Sequence, residues 1–196
     1  MEIKVIDDVI PLTIQNEIEK GVLDIRFPWH FIPSSDIGHL VHKNYLKDKQ
    51  DLWKNKNIID PPQFFHNLLS DQIEPTFFFK WFTPILDAIK FDGMSILRMK
   101  MNFNYPLIGM ADLTHGIPHV DLPQEKNYIT AIYYVSDADG DTLLFNERNG
   151  YEGPLTIQKR ITPKKGKIVL FQGDTLHAAC PPISNRPRIV VNINIR

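Results

Sequence analysis

From Gly93 to the C-terminus, apolar and polar residues trade places with a period of two. In Leu97-Arg98-Met99-Lys100-Met101-Asn102-Phe103 the alternation is strict, which suits a strand with unlike faces and does not suit a helix. Shorter runs follow at residues 128–135, 142–145, 167–171 and 188–195, separated by clusters of Gly, Pro, Asp and Asn. Many short strands divided by turn chemistry predict an antiparallel sandwich or jelly roll.

Before residue 93 the character is mixed and partly helical. Residues 11–20 read as a short helix stopped by Gly21. Asp60 reads as the N-cap of a helix over 61–69, with Pro tolerated in its first turn. Residues 75–90 carry Phe78, Phe82, Ile85 and Ile89 at helical spacing, with a kink expected at Pro84. The fold class is therefore α+β, with N-terminal helices packed against a β core. With 196 residues and no Gly/Ser-rich linker, the chain reads as a single domain over 1–196. Residues 1–95 form its mixed part with substrate-facing elements, and 96–196 form the core.

Composition excludes several classes. Lys and Arg number 22 against 23 Asp and Glu, a net charge of −1, which leaves little field to gather phosphate backbones or anionic lipid. Neither a nucleic-acid nor a membrane partner is expected. Cys180 is the lone cysteine, so disulfides within the chain and Cys-rich metal scaffolds are ruled out. The acidic start and the lack of a long apolar run point to a reducing, cytoplasmic setting.

The last run divides sharply. Ile189, Val191, Ile193 and Ile195 fall on one face; Arg188, Val190, Asn192 and Asn194 fall on the other. A solvated face accounts for the polar set, and so does a face turned into the mouth of a sandwich. Seven histidines occur, and His119-Val120-Asp121 places an imidazole and a carboxylate at i and i+2. On a strand these point the same way and give two thirds of a two-His-one-carboxylate triad for non-haem Fe(II). Composition alone yields such a pair about once in this chain, so the context decides. His177 arrives in a loop after the apolar strand Ile168-Val169-Leu170-Phe171, and Arg188 follows eleven residues later.

In this order and spacing, the sequence resembles the 2-oxoglutarate/Fe(II)-dependent dioxygenases, in particular the prolyl 4-hydroxylase-like branch also seen among bacteriophage proteins. The Ile132-Tyr133-Tyr134 strand, the Gly140-Asp141-Thr142 turn and the 167–171 strand fit the same pattern. The resemblance spans roughly residues 96–196, and Asp141 stands where the family often has a second glycine. It implies a double-stranded β-helix (jelly-roll) core, with Fe(II) held by His119, Asp121 and His177. It implies 2-oxoglutarate anchored by Arg188, whose planar fork suits a carboxylate, with Tyr134 donating to the same group. Tyr105 is a further cosubstrate candidate, and Asn192 and Asn194 would line that pocket. The implied reaction consumes O2 and decarboxylates 2-oxoglutarate to succinate while hydroxylating a small-molecule or peptidyl substrate such as proline, with ascorbate as an accessory reductant. Retention of Asp121 argues against a halogenase. A cupin-like metalloenzyme without 2-oxoglutarate and a non-catalytic binding module are the alternatives.

Other features carry blander readings. Gly116 and Pro118 deny His115 and His119 a shared helix face. His39 and His42 near Asp36 read as a solvated loop, and the stretch opening at Asp137 has Thr142 where a calcium loop has glycine and Arg148 where it has glutamate. The basic cluster of Lys159, Arg160, Lys164, Lys165 and Lys167 reads as a solvated face. Trp29, Trp53, Trp81 and the Phe77–Phe79 run are expected to build core and helix packing.

Overall fold

Strand β10 (Arg188–Ile195) settles the question its sequence leaves open, because all eight of its residues are buried. In this computed structural model, which describes residues 1–33, 58–70, 74–90, 93–110 and 114–196, β10 is the middle strand of a seven-stranded sheet. It pairs antiparallel with β4 (Ile96–Asn104) on one side and β5 (Ile129–Tyr134) on the other. Its isoleucine face joins Met99, Met101, Ala131 and Tyr133 in a core capped by helices. Its other face turns toward a second sheet, where Val190 packs with Ile132, Tyr134, Val169, Phe171, Leu144 and Ile161. The solvated-face reading is thus corrected: both faces are inside, and the polar one lines the space between sheets.

The outer strands complete the sandwich. β8 (Ile168–Gln172) pairs with β5, and β1 (Lys4–Ile6) pairs with β8. On the far side, β3 (Gln63–Ser70) pairs with β4, and β2 (His30–Ile32) closes that edge. The smaller sheet has β6 (Thr142–Arg148) between β7 (Ile157–Ile161) and β9 (Thr175–Ala179). Four of the five β7 residues are exposed, and its Lys159 and Arg160 make a charged edge that resists further strand pairing.

Several expectations change. Residues 61–69 do not form a helix; Gln63–Ser70 is a strand with His66 and Leu68 buried. Tandem prolines bias the chain to extended geometry, and β4 offers a partner ladder that outweighs local helical propensity. Helix α1 (Leu12–Val22) runs through Gly21 instead of stopping there. A Cβ at residue 21 would stand 2.6 Å from the Trp81 ring, so this glycine makes room for a side chain. The 75–90 segment is a 3-10 turn over Phe77–Phe82 that passes into α2 (Thr83–Ala88), with Pro84 in its first turn. His177 lies on β9, not in a loop. His119 and Asp121 lie outside the named strands, in extended chain joined by a bridge at His119.

The basic cluster is structural in part. Lys165 reaches Glu19 at 2.9 Å and Asn16 at 2.7 Å, Arg160 meets Asp141 at 2.8 Å, and Lys167 donates to the Thr162 carbonyl. Trp29 and Phe78 pack against the helix-capped core, whereas Phe77 is exposed. Asp36, His39, His42 and Trp53 lie outside the described residues.

Gly140 sits where the chain passes hard against the backbone of another segment. A Cβ there would lie 2.5 Å from the Cys180 carbonyl oxygen and 2.7 Å from Pro182 N, both backbone atoms that cannot step aside. Gly140→Ala is expected to destabilise the fold by about 1–3 kcal/mol, read as a fall of several degrees in Tm. An unchanged Tm would contradict the packing described.

Candidate functional site

Two backbone hydrogen bonds tie the histidines together. His119 N donates to the His177 carbonyl and His177 N to the His119 carbonyl, each at 2.9 Å. The rings lie 4.7 Å apart between centroids. Each Nδ1 meets a backbone carbonyl, Ile117 at 2.8 Å for His119 and Thr175 at 3.1 Å for His177. A carbonyl can only accept, so the proton sits on Nδ1 and the Nε2 lone pair is left free, the tautomer a metal ligand needs. The Asp121 Oδ2 lies 3.8 Å from His177 Nε2. One donor atom from each of the three residues falls within 4.8 Å of the others.

Electrostatics set their protonation. Burial pushes the His177 pKa down to about 4, only partly opposed by Asp121, so the imidazole is neutral at pH 7. Burial alone would raise Asp121, yet the Arg98 guanidinium, the two histidines and the Asn194 amide hold it well below the usual carboxylate range. The neutral His177 imidazole, the Nε2 that His119 presents and an ionised carboxylate fit Fe(II).

Asp121 is gripped from two neighbouring strands. Arg98 of β4 donates to Oδ1 at 2.7 Å, and Asn192 of β10 donates to the same oxygen at 2.8 Å. Asn194 donates to Oδ2 at 3.0 Å, with Thr130 behind it at 3.4 Å. Asn192 borders the cavity as expected, its Nδ2 on Asp121 and its buried Oδ1 without a hydrogen-bond partner among the described residues, whereas Asn194 does not border it and spends its amide on Asp121 and Thr130.

Arg188 points the same way, into a cavity of about 260 Å³ that it shares with His119, Asp121 and His177. It is buried; Nε donates to the Gly140 carbonyl at 2.9 Å and Nη2 to Thr142 Oγ1 at 2.7 Å. Among the described residues it has no carboxylate partner, although burial of an unpaired guanidinium is costly. The Tyr134 hydroxyl donates to Thr142 Oγ1 at 2.7 Å, and its ring lies 5.8 Å from the guanidinium. Thr142 therefore accepts twice and keeps its own proton to offer the cavity. Tyr134 supports this corner from behind; it does not line the cavity. Tyr105 is not at the site at all. It follows β4, is 54% exposed, and packs edge-on against Phe64 and tilted against Phe103.

Sequence reasoning missed Arg98, Lys100, Asn102 and Thr142. The strict alternation of β4 contained the signal: its polar face is the cavity wall. Burial pushes the Lys100 pKa down to about 8, with Arg98 adding to the shift.

Residues 109–196 match the family model described as the 2OG-Fe(II) oxygenase superfamily. A 2OG-Fe(II) oxygenase family oxidoreductase from Burkholderia pseudomallei superposes with a TM-score of 0.62 at 10% identity, over 98% of this chain and 84% of its own. A prolyl hydroxylase from Trichoplax adhaerens, in complex with a hypoxia inducible factor peptide fragment, gives 0.57 at 16%, over 98% and 82%. The viral collagen prolyl hydroxylase of Paramecium Bursaria Chlorella virus-1, in its 2OG complex, gives 0.54 at 13%, over 100% and 96%. At these identities the likeness is one of fold: an α+β protein on a jelly-roll double-stranded β-helix. A comparison with curated proteins gives no match. No helix among the described residues is long and apolar enough to cross a membrane.

One consequence concerns pH. Between the ordinary histidine pKa of 6.5 and about 4, unfolded chains take up a proton at residue 177 that the folded metal-free protein refuses. Stability of the metal-free protein is therefore expected to fall as pH drops through that window. His177→Gln should flatten the slope of Tm against pH there, and an unaltered slope would contradict the burial described.

Proposed function

We propose that this chain, a 2OG-Fe(II) oxygenase by the family of its residues 109–196, is a hydroxylase in which His119, Asp121 and His177 hold Fe(II) and Arg188 anchors 2-oxoglutarate. The observation that carries the reading is the convergence of three donor atoms within 4.8 Å, in the same cavity as a buried guanidinium. Bound Fe(II) supplies the oxygen chemistry, in which 2-oxoglutarate and O2 yield succinate and CO2 and the substrate gains a hydroxyl.

The protein's own part is positional. His119 and His177 offer Nε2 because their Nδ1 protons are engaged by the Ile117 and Thr175 carbonyls. Asp121 cannot rotate, since Arg98, Asn192 and Asn194 hold both of its oxygens. Arg188 receives the far carboxylate of 2-oxoglutarate with Thr142 as a neutral donor beside it, and a charge-assisted bond in this dry corner is strong. The apolar wall of Ile132 and Val190 excludes water on that side.

We take residues 1–196 as one domain, because α1 and α2 contribute Ile18, Val22, Ile85 and Leu86 to the core built on β10. The substrate is a small molecule or a peptidyl residue. The prolyl hydroxylases among the structural relatives support proline as the first residue to try.

With Fe(II), 2-oxoglutarate and O2, the protein is expected to release succinate, and His119→Ala to abolish it along with Fe(II) binding. Arg188→Ala should raise the 2-oxoglutarate KM at least tenfold while Fe(II) affinity, read by anaerobic titration, stays within twofold. A KM that does not move would put the anchor elsewhere than Arg188, and metal-dependent activity without any need for 2-oxoglutarate would favour a metalloenzyme of another class. Arg98→Leu should instead weaken Fe(II) binding by about 10–100-fold, with the 2-oxoglutarate KM little changed at saturating metal; equal metal affinity would show that the grip on Asp121 is dispensable.

A further inference from the structure

Four polar side chains of β4 alternate along the cavity wall: Arg98, Lys100, Asn102 and Asn104. Two have protein partners that account for them. Arg98 holds Asp121 and Asn194, while Asn104 donates to Gln63 and accepts from Arg188. Lys100 and Asn102 do not. Among the described residues Lys100 makes neither a hydrogen bond nor an ion pair, and its Nζ stands 4.9 Å over the Phe65 ring of β3. The buried Oδ1 of Asn102 has no hydrogen-bond partner.

A half-buried ammonium beside an unpartnered amide is an expensive arrangement in an empty wall. Its place in the register says what would relieve it. Lys100 faces Asn192, which grips Asp121, so it stands level with the triad. Arg188 faces Asn104, four residues along the strand, about 13 Å away in backbone rise. A 2-oxoglutarate reaching from the triad toward Arg188 leaves Lys100 lateral to it, on the β3 side, where Lys100 pairs with Asn67.

We propose that Lys100 forms a carboxylate subsite for the hydroxylated substrate, separate from the cosubstrate anchor at Arg188, with the Asn102 amide oxygen accepting from the amino or hydroxyl group of the same molecule. A carboxylate so close to the triad belongs near the carbon that reacts. The substrate class is then a free amino or hydroxy acid, and an internal residue of a polypeptide, whose carboxyl is tied up as an amide, fits less well. The inference rests on the hydroxylase reading above and narrows it.

The test is binding without turnover. Anaerobic Fe(II)·2-oxoglutarate protein is titrated by calorimetry with free L-proline and the other L-amino acids, their amides, and N-acetyl-L-prolinamide. At least one free acid is expected to bind tenfold or more tightly than its amide. Lys100→Met should erase that preference, Lys100→Arg should keep it, and the Kd for 2-oxoglutarate should stay within twofold in both variants. Unaltered Tm values identify folded variants, and Lys100→Gln serves if Lys100→Met does not fold. Acids and amides binding alike, or not at all, overturns the proposal. So does a tenfold loss of 2-oxoglutarate affinity in Lys100→Met, which would assign the ammonium to the cosubstrate. Failure of the wild type to bind 2-oxoglutarate in the presence of Fe(II) would instead strike the hydroxylase reading itself.

Discussion

A carboxylate sealed away from water, Asp121, is the constraint around which the site is arranged. Burial favours its neutral form, and only surrounding charge and hydrogen bonds keep it ionised. Those come from Arg98 on β4 and from Asn192 and Asn194 on β10, so the site depends on these two strands lying side by side in the observed register. A shift of one residue would turn all three donors into the helix-capped core and bring isoleucines to the carboxylate. The hydrophobic face of β10 thus fixes the polar face, since Ile189, Val191, Ile193 and Ile195 have one place to go. Core packing on one side of the sheet is what preorganises the metal ligands on the other.

The same logic explains what could be read in advance. β10 was legible because its apolar residues recur with period two, β5 and β8 as short apolar runs bounded by turn residues, and the His119, Asp121, His177 and Arg188 set from order and spacing. The inner polar lining was not. Arg98, Lys100 and Asn102 alternate with methionines as residues of a solvated face would, and the pattern itself cannot say whether water or a second sheet lies opposite. The inward face of Asn192 and Asn194 was legible and their hold on Asp121 was not, because sequence shows which face a side chain is on and not which atom it meets.

Residues before 93 were harder for a different reason. Gln63–Ser70 becomes a strand because β4 is there to receive it, a long-range effect absent from its local sequence. Gly21 looks like a helix stop and is a clearance for Trp81, again a contact from sixty residues away in the chain. His177 lies on β9 because β6 receives it there, at Leu144, with His119 bridging it besides.

The central claim is that His119, Asp121 and His177 close around a single ferrous ion inside this sandwich. Crystals grown without oxygen in Fe(II) and 2-oxoglutarate, with anomalous scattering recorded at the iron edge, address it directly. One strong peak bonded to Nε2 of both histidines and to an Asp121 oxygen is the predicted result. No peak at that position, or iron held by other side chains, would contradict the account.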